Sequence, residues 1–391
     1  MPRAVLASPP ASAPRRALTT RRLDFWLLGG ASLAVWLAMM LADSFRTRPE
    51  VDERLGQMAV LALSLSLVAN YPHFLFSYKL AYARGRGFVL THWWQLIAVP
   101  VALAALLALA YAFYQVPVAD LPWAGTAAVA LSPFGLNAQV VSGPRFGDLL
   151  LGLTFNLMIL TIGWHYTKQV FGCMMVYAHF DAYPLTHAQR RVLKGALLTM
   201  WALVFVDNNR SGAWRAHLTF SYSSLDLPDV AAPIAAAIVV VGFGLAAYRV
   251  VYANYTSGGR LPSANFLVPM AALYVWWLPL TRQSEFYFFM APLFHAVQYL
   301  PFVYRVEDSR RRAAGAGQAA LIGLVAAVLL AGWLSFELVP GAFDALLGTS
   351  TALGISFFVI AAMLFINIHH YFIDNAIWRF TDPEVRAHLL N

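Results

Sequence analysis

The feature that most constrains this chain is a series of apolar runs, each about as long as a bilayer is thick. A helix of about 20 apolar residues spans the hydrocarbon core, and lipid offers no partner to an unsatisfied backbone group, so such runs fold as helices. The sequence contains ten of them: roughly 24–43, 57–79, 93–114, 148–168, 190–207, 229–250, 265–281, 284–304, 316–338 and 350–376. We therefore predict an all-α polytopic integral membrane bundle of about ten transmembrane helices.

The composition supports this class of protein and argues against others. Hydrophobic residues make up 60% of the chain and charged residues 12%, whereas a soluble domain carries roughly a quarter charged residues. The net charge of +8 comes from basic residues spread over short loops, so we expect no nucleic-acid partner. The single cysteine, Cys173, excludes a disulfide within the chain and disfavours a thiolate-rich metal centre.

The distribution of lysine and arginine predicts the topology. Basic residues are concentrated in the N-terminal tail, in every second loop and at the C-terminus, whereas the other loops are acidic, mixed or poor in charge. The positive-inside rule then places both termini in the cytoplasm. We expect a multi-pass protein of the bacterial inner (cytoplasmic) membrane, surrounded by membrane lipids. Its parts are a disordered basic tail over 1–22, a single transmembrane domain over 23–379 and a short cytoplasmic tail over 380–391.

Two of the predicted non-cytoplasmic loops are long enough to cover one face of the bundle. They span 115–147 and 207–229, and both carry Trp, Phe and Pro. Loops of this length are either functional lids or passive caps, and the sequence does not favour one over the other.

Five of the ten histidines fall inside predicted spans that run from outside to inside. They are His73, His165, His295, His369 and His370. The next cytoplasmic arginine follows His73 after eleven residues, His295 after ten and His370 after nine, which is about 14–16 Å along a helix. These histidines are therefore expected to lie at one depth in the membrane.

The depth of His165 depends on where its helix ends. Lys168 follows within one turn, so His165 stays deep only if the helix continues through Gly172 toward His179. His179 would then lie on nearly the same face, about 21 Å nearer the cytoplasm. Whether His179 is also a ligand is left open.

Buried histidines at one depth on four helices are typical of a metal or haem site, because an unpaired polar group in lipid costs several kcal/mol. We predict that the five are metal ligands. Asp374 lies one turn after His370 on the same helical face, so it either ligates the metal or orients an imidazole. Each imidazole also has a polar neighbour at helical spacing that could accept its second N–H. These neighbours are Asn70 and Ser77, Lys168 and Gln169, Gln298 and Tyr299, and Asp374.

Such a ligand set restricts the metal and its chemistry. Imidazoles with at most one carboxylate suit iron, copper or zinc and disfavour calcium and magnesium. We expect iron, with copper or zinc as alternatives. A site inside the membrane is reached most easily by dioxygen and lipid-soluble molecules, so we expect an oxidoreductase acting on a fatty acyl chain, a sterol or an isoprenoid, with an electron donor as a candidate partner. The expected catalytic residues are Asp374, which holds or joins the ligands, and Tyr299 or Gln298, which donates a hydrogen bond to the activated oxygen.

Two other functions stay open at this point. In one, two histidines on facing helices are the axial ligands of a haem in an electron-transfer protein. In the other, the histidines and Asp374 form a relay in a proton- or metal-coupled transporter, although the chain shows no internal repeat. The HxxxH boxes of membrane desaturases are absent, since no two histidines are four residues apart.

The remaining histidines carry little functional signal. His92 stands beside two tryptophans at a predicted interface, where a structural role is expected. His187, His217 and His388 fall in predicted loops or in the C-terminal tail, and we expect no function for them.

Overall fold

A computed structural model describes the protein over residues 16–43, 49–114, 116–117, 120–132, 145–210, 214–217, 220–223, 225, 227–278, 286–347 and 356–390. Within these ranges the regular structure is helical apart from one two-stranded hairpin. Six helices there are long and apolar enough to cross a membrane, which supports an all-helical membrane protein. They are Arg21–Ala42, Trp94–Ala112, Phe146–Phe180, Ala231–Gly258, Gln318–Leu346 and Phe357–Ile377. The count of ten spans and the orientation of the termini stay predictions.

The elements follow one another in a simple order. The first half of the chain contains α1 (Arg21–Phe25), α2 (Ala31–Asp43), α3 (Pro49–Tyr82), α4 (Arg86–Thr91), α5 (Val99–Ala112), α6 (Ala124–Leu131), α7 (Phe146–Phe180) and α8 (His187–Asn208). The second half contains β1 (Trp214–His217), β2 (Phe220–Ser223), α9 (Ala231–Ala246), α10 (Ala253–Gly258), α11 (Ala264–Trp277), α12 (Phe286–Ala313), α13 (Gln318–Trp333), α14 (Val339–Leu346), α15 (Phe357–Ile377) and α16 (Pro383–Leu389). Wide π-helical turns connect α1 to α2, lead into α5, connect α9 to α10 and connect α13 to α14.

Several helices extend beyond the apolar runs that predict them. The run in α7 ends near residue 168, whereas the helix continues to Phe180. It can do so because its final turns pack against the N-terminal segment, where the Tyr177 hydroxyl donates a hydrogen bond to Asp24. Lys168 and His179 therefore lie on one unbroken helix with His165, which is the condition for a deep His165.

The last residues of the predicted N-terminal tail are folded. Leu18 and Asp24 are fully buried, and the Asp24 carboxylate accepts hydrogen bonds from the backbone N–H groups of Leu18 (2.7 Å) and Thr19 (3.0 Å). Arg21 begins α1 and forms an ion pair with Asp181 (2.6 Å) beyond the end of α7. Residues 16–22 of the predicted tail thus pack with the helices, and residues 1–15, where most of that tail falls, lie outside the described residues.

The predicted C-terminal tail forms a helix that is docked on the bundle. Arg84, just after α3, pairs with Asp382 (2.6 Å) and Glu384 (2.9 Å), and Arg310 of α12 pairs with Glu384 (2.5 Å). Burial of Asp382 opposes its ionisation, but the hydrogen bond and charge of Arg84, together with the backbone N–H groups of Glu384 and Val385, outweigh this effect, so the pKa of Asp382 is lowered below its usual value. Leu389, on the inner face of α16, is fully buried.

Four helices occupy the centre of the bundle. In the interior, α3 packs against α12 and α15, and α15 also packs against α7. The start of α15 is secured by Asp344 at the end of α14, whose carboxylate oxygens accept hydrogen bonds from the N–H groups of Phe358 (2.9 Å) and Val359 (3.1 Å). This cap satisfies N–H groups that the first turn of a helix leaves without a partner.

The hairpin lies within one of the two predicted long loops. Strands β1 and β2 are antiparallel, with Trp214 opposite Ser223 and His217 opposite Phe220. Parts of both predicted loops, including 133–144 and 211–213, lie outside the described residues. Whether these loops act as lids or as caps therefore stays open.

Candidate metal centre

Four histidines from the four central helices converge on one point. His73 (α3), His165 (α7), His295 (α12) and His370 (α15) each direct one ring nitrogen to a place where these nitrogens all lie within 4.8 Å of one another. The Nε2 atoms of His73 and His370 are 2.7 Å apart, those of His165 and His295 are 2.9 Å apart, and those of His165 and His370 are 3.3 Å apart. We call these four residues the histidine cluster.

The cluster lies in the interior of the protein. His73 and His370 are 0% exposed, His165 is 3% exposed and His295 is 9% exposed. Four polar rings in the interior need hydrogen-bond or metal partners, because burial of an unpaired polar group is costly. Their Nε2 atoms lie within hydrogen-bonding distance of one another in two pairs.

Aromatic side chains fix the planes of the four rings. Three tyrosine rings stack on cluster histidines: Tyr299 on His73 (centroids 4.3 Å apart), Tyr166 on His295 (3.7 Å) and Tyr371 on His165 (4.7 Å). The edge of Phe74 meets His370 at an interplanar angle of 81°. Aromatic packing of this kind immobilises the imidazoles, and a site with rigid ligands is pre-organised for its ion.

The spacing of the nitrogens fits a single ion. A metal about 2.0–2.1 Å from four imidazole nitrogens would hold tetrahedral neighbours about 3.4 Å apart. The short separations of 2.7, 2.9 and 3.3 Å are at or slightly below this value, and the full set of nitrogens spreads to 4.8 Å, which is above it. An ion among four neutral imidazoles would therefore need the close pairs of rings to move apart and the wider pairs to move together.

Asp374 adds a carboxylate to one side of the cluster. Its Oδ2 atom lies 3.6 Å from Nε2 of His370 and 3.9 Å from Nε2 of His165. Asp374 follows His370 by one turn of α15, which brings both side chains to the same face. The carboxylate is close enough to become a further ligand after a small shift, or to remain a hydrogen-bond acceptor beside the ligands.

A chain of hydroxyl groups holds this carboxylate in place. The Ser77 hydroxyl donates to Oδ1 of Asp374 (2.7 Å), the Tyr299 hydroxyl lies 2.5 Å from that of Ser77, and the indole N–H of Trp378 donates to Tyr299 (3.1 Å). The Tyr299 hydroxyl also lies 3.3 Å from Oδ1 of Asp374. Since Ser77 and Tyr299 both bind Oδ1, the other oxygen is left facing the histidines.

His369 lies outside the cluster. Its Nδ1 atom is 2.8 Å from the hydroxyl of Tyr78, and its ring lies near Phe365. Adjacent residues on a helix point about 100° apart, so His369 and His370 cannot both face the same point. The structure thus brings four of the five predicted ligands together and leaves His369 apart from them.

Gln298 is placed behind His295 and is not among the groups around Asp374. Its Nε2 donates to the backbone carbonyl of Leu28 (2.6 Å), and its Oε1 accepts from Gln169 (3.1 Å), which also donates to the carbonyl of His295 (2.8 Å). The Leu28 carbonyl is accessible because the helix is kinked at Gly29. Both ends of the Gln298 amide are therefore engaged in joining helices.

The predicted outer partners of the imidazoles are only partly present. The Nδ1 atoms of His73 and His370 have no hydrogen-bond partner among the described residues. Ser77, an expected partner of His73, instead donates to Asp374 and lies 3.3 Å from the backbone carbonyl of His73. The orientation of these two rings therefore depends on aromatic packing more than on hydrogen bonds from Nδ1.

A cavity of about 240 Å³ adjoins the cluster. Its lining includes His165 and Asp374, and also Lys168, Lys194 and Leu389 of the docked α16. The cluster is thus buried in protein but can be approached from this side.

Lys194 was not identified as a site residue from the sequence. It stands with other basic residues near the start of α8 and reads as a topology signal. Its contact with the cavity depends on how α8 packs against the extended end of α7, which no local pattern in the sequence reveals.

None of the other histidines whose side chains the structure describes joins the cluster. Nδ1 of His92 lies 3.1 Å from the carbonyl of Phe88, and Nδ1 of His388 lies 3.0 Å from the hydroxyl of Ser309. His179 is exposed near the end of α7, His187 is the first residue of α8, and His217 is in β1.

Comparison of the chain with protein-family models, curated proteins and solved structures finds no match.

Proposed function

We propose that this protein is a membrane-bound, metal-dependent oxidoreductase whose metal is held by His73, His165, His295 and His370. The observation that carries the proposal is the convergence of four buried ring nitrogens within 4.8 Å of one another. Hydrogen bonds could satisfy these nitrogens only two by two, with one Nε2 of each pair protonated, as the separations of 2.7 and 2.9 Å permit. One cation would use all four lone pairs.

Iron is the metal we propose, with copper or zinc as alternatives, because imidazole binds all three and the cluster offers no thiolate. The geometry argues against a haem between these histidines. Axial ligands approach a haem from opposite faces, and the macrocycle needs a wide gap between them. Here the ring centroids of the cluster are 4.4–6.1 Å apart, and the four rings fill that space.

The surroundings of the cluster support redox catalysis over a purely structural ion. A structural site is usually closed by its ligands, whereas here a cavity reaches His165 and an additional carboxylate faces the nitrogens. When bound, the metal would supply activation of dioxygen for oxidation of a lipid-soluble substrate. Asp374 would hold a proton or a ligand beside the metal. Tyr299 would act through Asp374, since its hydroxyl is committed to the chain that ends on Oδ1.

We also propose that the chain crosses the bacterial inner membrane ten times with both termini in the cytoplasm. Helices in the described residues overlap every predicted apolar run. This includes the runs that lie outside the six helices described above as long and apolar enough to cross a membrane. On this topology the cluster lies in the cytoplasmic half of the membrane. The cavity then leads from the cluster toward the cytoplasmic surface at Lys194.

Metal analysis and an absorption spectrum on detergent-purified protein test the proposal. We expect about one iron atom per chain and no Soret band, because the cluster can hold one ion. Oxygen consumption stimulated by a lipid fraction would then identify the reaction. Metal-free, colourless wild-type protein would overturn the proposal and favour a histidine relay in transport.

A further inference from the structure

The cavity beside the histidine cluster is lined by two lysines and one carboxylate. Lys168 and Lys194 both line it, so two like charges face the same space, and Asp374 supplies a single opposite charge. In the part of the chain that the structure describes, neither ammonium group forms an ion pair. Two like charges at the rim of a low-dielectric cavity are unfavourable, and an anion between them would relieve the repulsion.

Lys168 is already held in a defined position. Its ammonium group donates a hydrogen bond to Oδ1 of Asn375 and lies 4.6 Å from the ring centroid of Trp164. A lysine fixed in this way loses little further freedom when it binds an anion, which favours binding. Asn375 also lines the cavity, and its amide N–H groups could donate to the same anion.

Most of the remaining wall is aromatic. The aromatic lining includes Trp164, Phe171, Phe302, Tyr371, Trp378 and Phe380. Asp374 is the one carboxylate among the lining residues that the structure describes, and its Oδ1 atom is engaged by Ser77 while its Oδ2 atom faces the cluster. A ligand that fits this cavity therefore has an anionic group at one end and an apolar body.

We infer that the cavity binds a single-chain amphiphile whose anionic head group, a carboxylate or a phosphate, lies between Lys168 and Lys194. The inference rests on the proposed function in one respect, since it takes this molecule to be the substrate. The volume of about 240 Å³ admits one chain and is small for a lipid with two.

The same geometry indicates which part of the ligand lies nearest the histidine cluster. His165 and Lys168 are three residues apart on α7, which is about 4.5 Å along the helix axis. A head group on Lys168 thus brings the carbons closest to the head group, and not the far end of the chain, near His165 and Asp374.

Binding of three probes with the same chain tests the inference without any variant. The probes are decanoate, decyl phosphate and decanol, titrated calorimetrically into the full chain in phosphatidylcholine nanodiscs and corrected for uptake by empty nanodiscs. We expect at least one of the two anions to bind tenfold or more tightly than decanol. Preference for decanoate or for decyl phosphate would identify the head group. Anions that bind no better than decanol, or no binding of any probe, would overturn the inference.

Lysine variants locate the site. Lys168→Met and Lys194→Met remove the charge and keep the length of the side chain, and each is expected to weaken anion binding about tenfold while decanol binding is unchanged. The Lys168→Arg variant keeps the positive charge and should therefore retain most of the anion binding. Arg190→Met is the matched control, because Arg190 is exposed one turn before Lys194 on α8 and does not line the cavity. Unchanged anion binding in the double lysine variant would refute the assignment.

Failure of the inference and failure of the proposed function give different results. His370→Ala should lose the metal but still bind the anion, because the lysines remain. Wild-type protein that binds the anion without any metal would overturn the proposed function alone. Protein that contains iron but does not distinguish decanoate or decyl phosphate from decanol would overturn the inference alone.

Discussion

The Nε2 atom of His73 lies 2.7 Å from the Nε2 atom of His370, although 297 residues separate the two in the chain. Each nitrogen is thus turned toward a ring on another helix and away from solvent. This contact ties α3 to α15, and the pair His165–His295 ties α7 to α12 in the same way. An ion at the centre would replace these contacts by four bonds.

Alanine substitutions within the cluster should remove the metal. His73→Ala, His295→Ala and His370→Ala each delete one of four ligands, and each is expected to lose most of the bound iron while the protein remains inserted in the membrane. Metal content per chain, measured after size-exclusion chromatography, checks this. Full metal content in all three variants would contradict the assignment of the ligands.

His369→Ala is a closely matched control for His370→Ala. His369 is the adjacent residue on the same helix and is 2% exposed, yet its ring bonds to Tyr78 outside the cluster. We expect normal metal content and a modest loss of stability, about 1 kcal/mol for the lost hydrogen bond. Equal metal loss in both variants would show that the effect comes from damage to α15 and not from ligation.

The carboxylate of Asp374 should tune the cluster without being indispensable to it. Asp374→Asn keeps the shape of the side chain and removes its charge, so we expect metal affinity to fall about 10–100-fold, as is usual when a group beside the ligands is changed. Ser77→Ala should have a smaller effect, because the Tyr299 hydroxyl can still reach Oδ1. Resistance of the metal to a graded series of chelators ranks the variants, and an Asp374→Asn protein as resistant as wild type would exclude this role.

The convergence of the cluster could be anticipated in part from the sequence. Counting residues from each histidine to the next cytoplasmic arginine places His73, His295 and His370 at one depth, and the structure brings these three together with His165. Depth does not determine direction, however. Whether His369 or His370 faces inward depends on the rotation of α15, which is set by packing and by the Asp344 cap at its start.

Other parts of the site depend on contacts between distant segments. The C-terminal residues read as a short polar tail, yet Arg84 and Arg310 hold them as α16, whose Leu389 lines the cavity. Lys194 faces the same cavity only because α7 extends well past the end of its apolar run. The apolar runs predict which parts of the helices span the membrane. They do not predict how the polar ends of these helices pack against one another.

The Tyr299 hydroxyl should matter more than that of Tyr371. Both rings stack on cluster histidines, but the Tyr299 hydroxyl bonds to Ser77 and Asp374, whereas the Tyr371 hydroxyl donates to Asn367 (3.2 Å). Tyr299→Phe keeps the stacking and frees the carboxylate, so we expect unchanged metal content, an altered absorption spectrum of the metal and at least tenfold slower turnover. Tyr371→Phe is the control. The same spectrum and rate in both variants would contradict a positioning role for the Tyr299 hydroxyl.

Docking of α16 should weaken in acid and on loss of Arg84. Burial raises the pKa of Asp382, but the hydrogen bond and charge of Arg84 and the hydrogen bonds from nearby backbone N–H groups together outweigh it, so the pKa is lowered in the folded protein. A lowered pKa means that ionised Asp382 contributes stability above the ordinary carboxyl pKa, near 4, and that this contribution is lost as the pH falls through the lower folded value. Hydrogen–deuterium exchange of residues 383–389, corrected for the intrinsic pH dependence of exchange, should therefore accelerate below about pH 4.

The Arg84→Met substitution tests the same ion pair at pH 7. In this variant α16 should undock about fivefold more often, which corresponds to about 1 kcal/mol for a partly exposed charged pair. Arg86→Met, which removes an exposed charge two residues away, should leave exchange unchanged, and equal protection in the Arg84 and Arg86 variants would show that this ion pair does not hold α16 against the cavity.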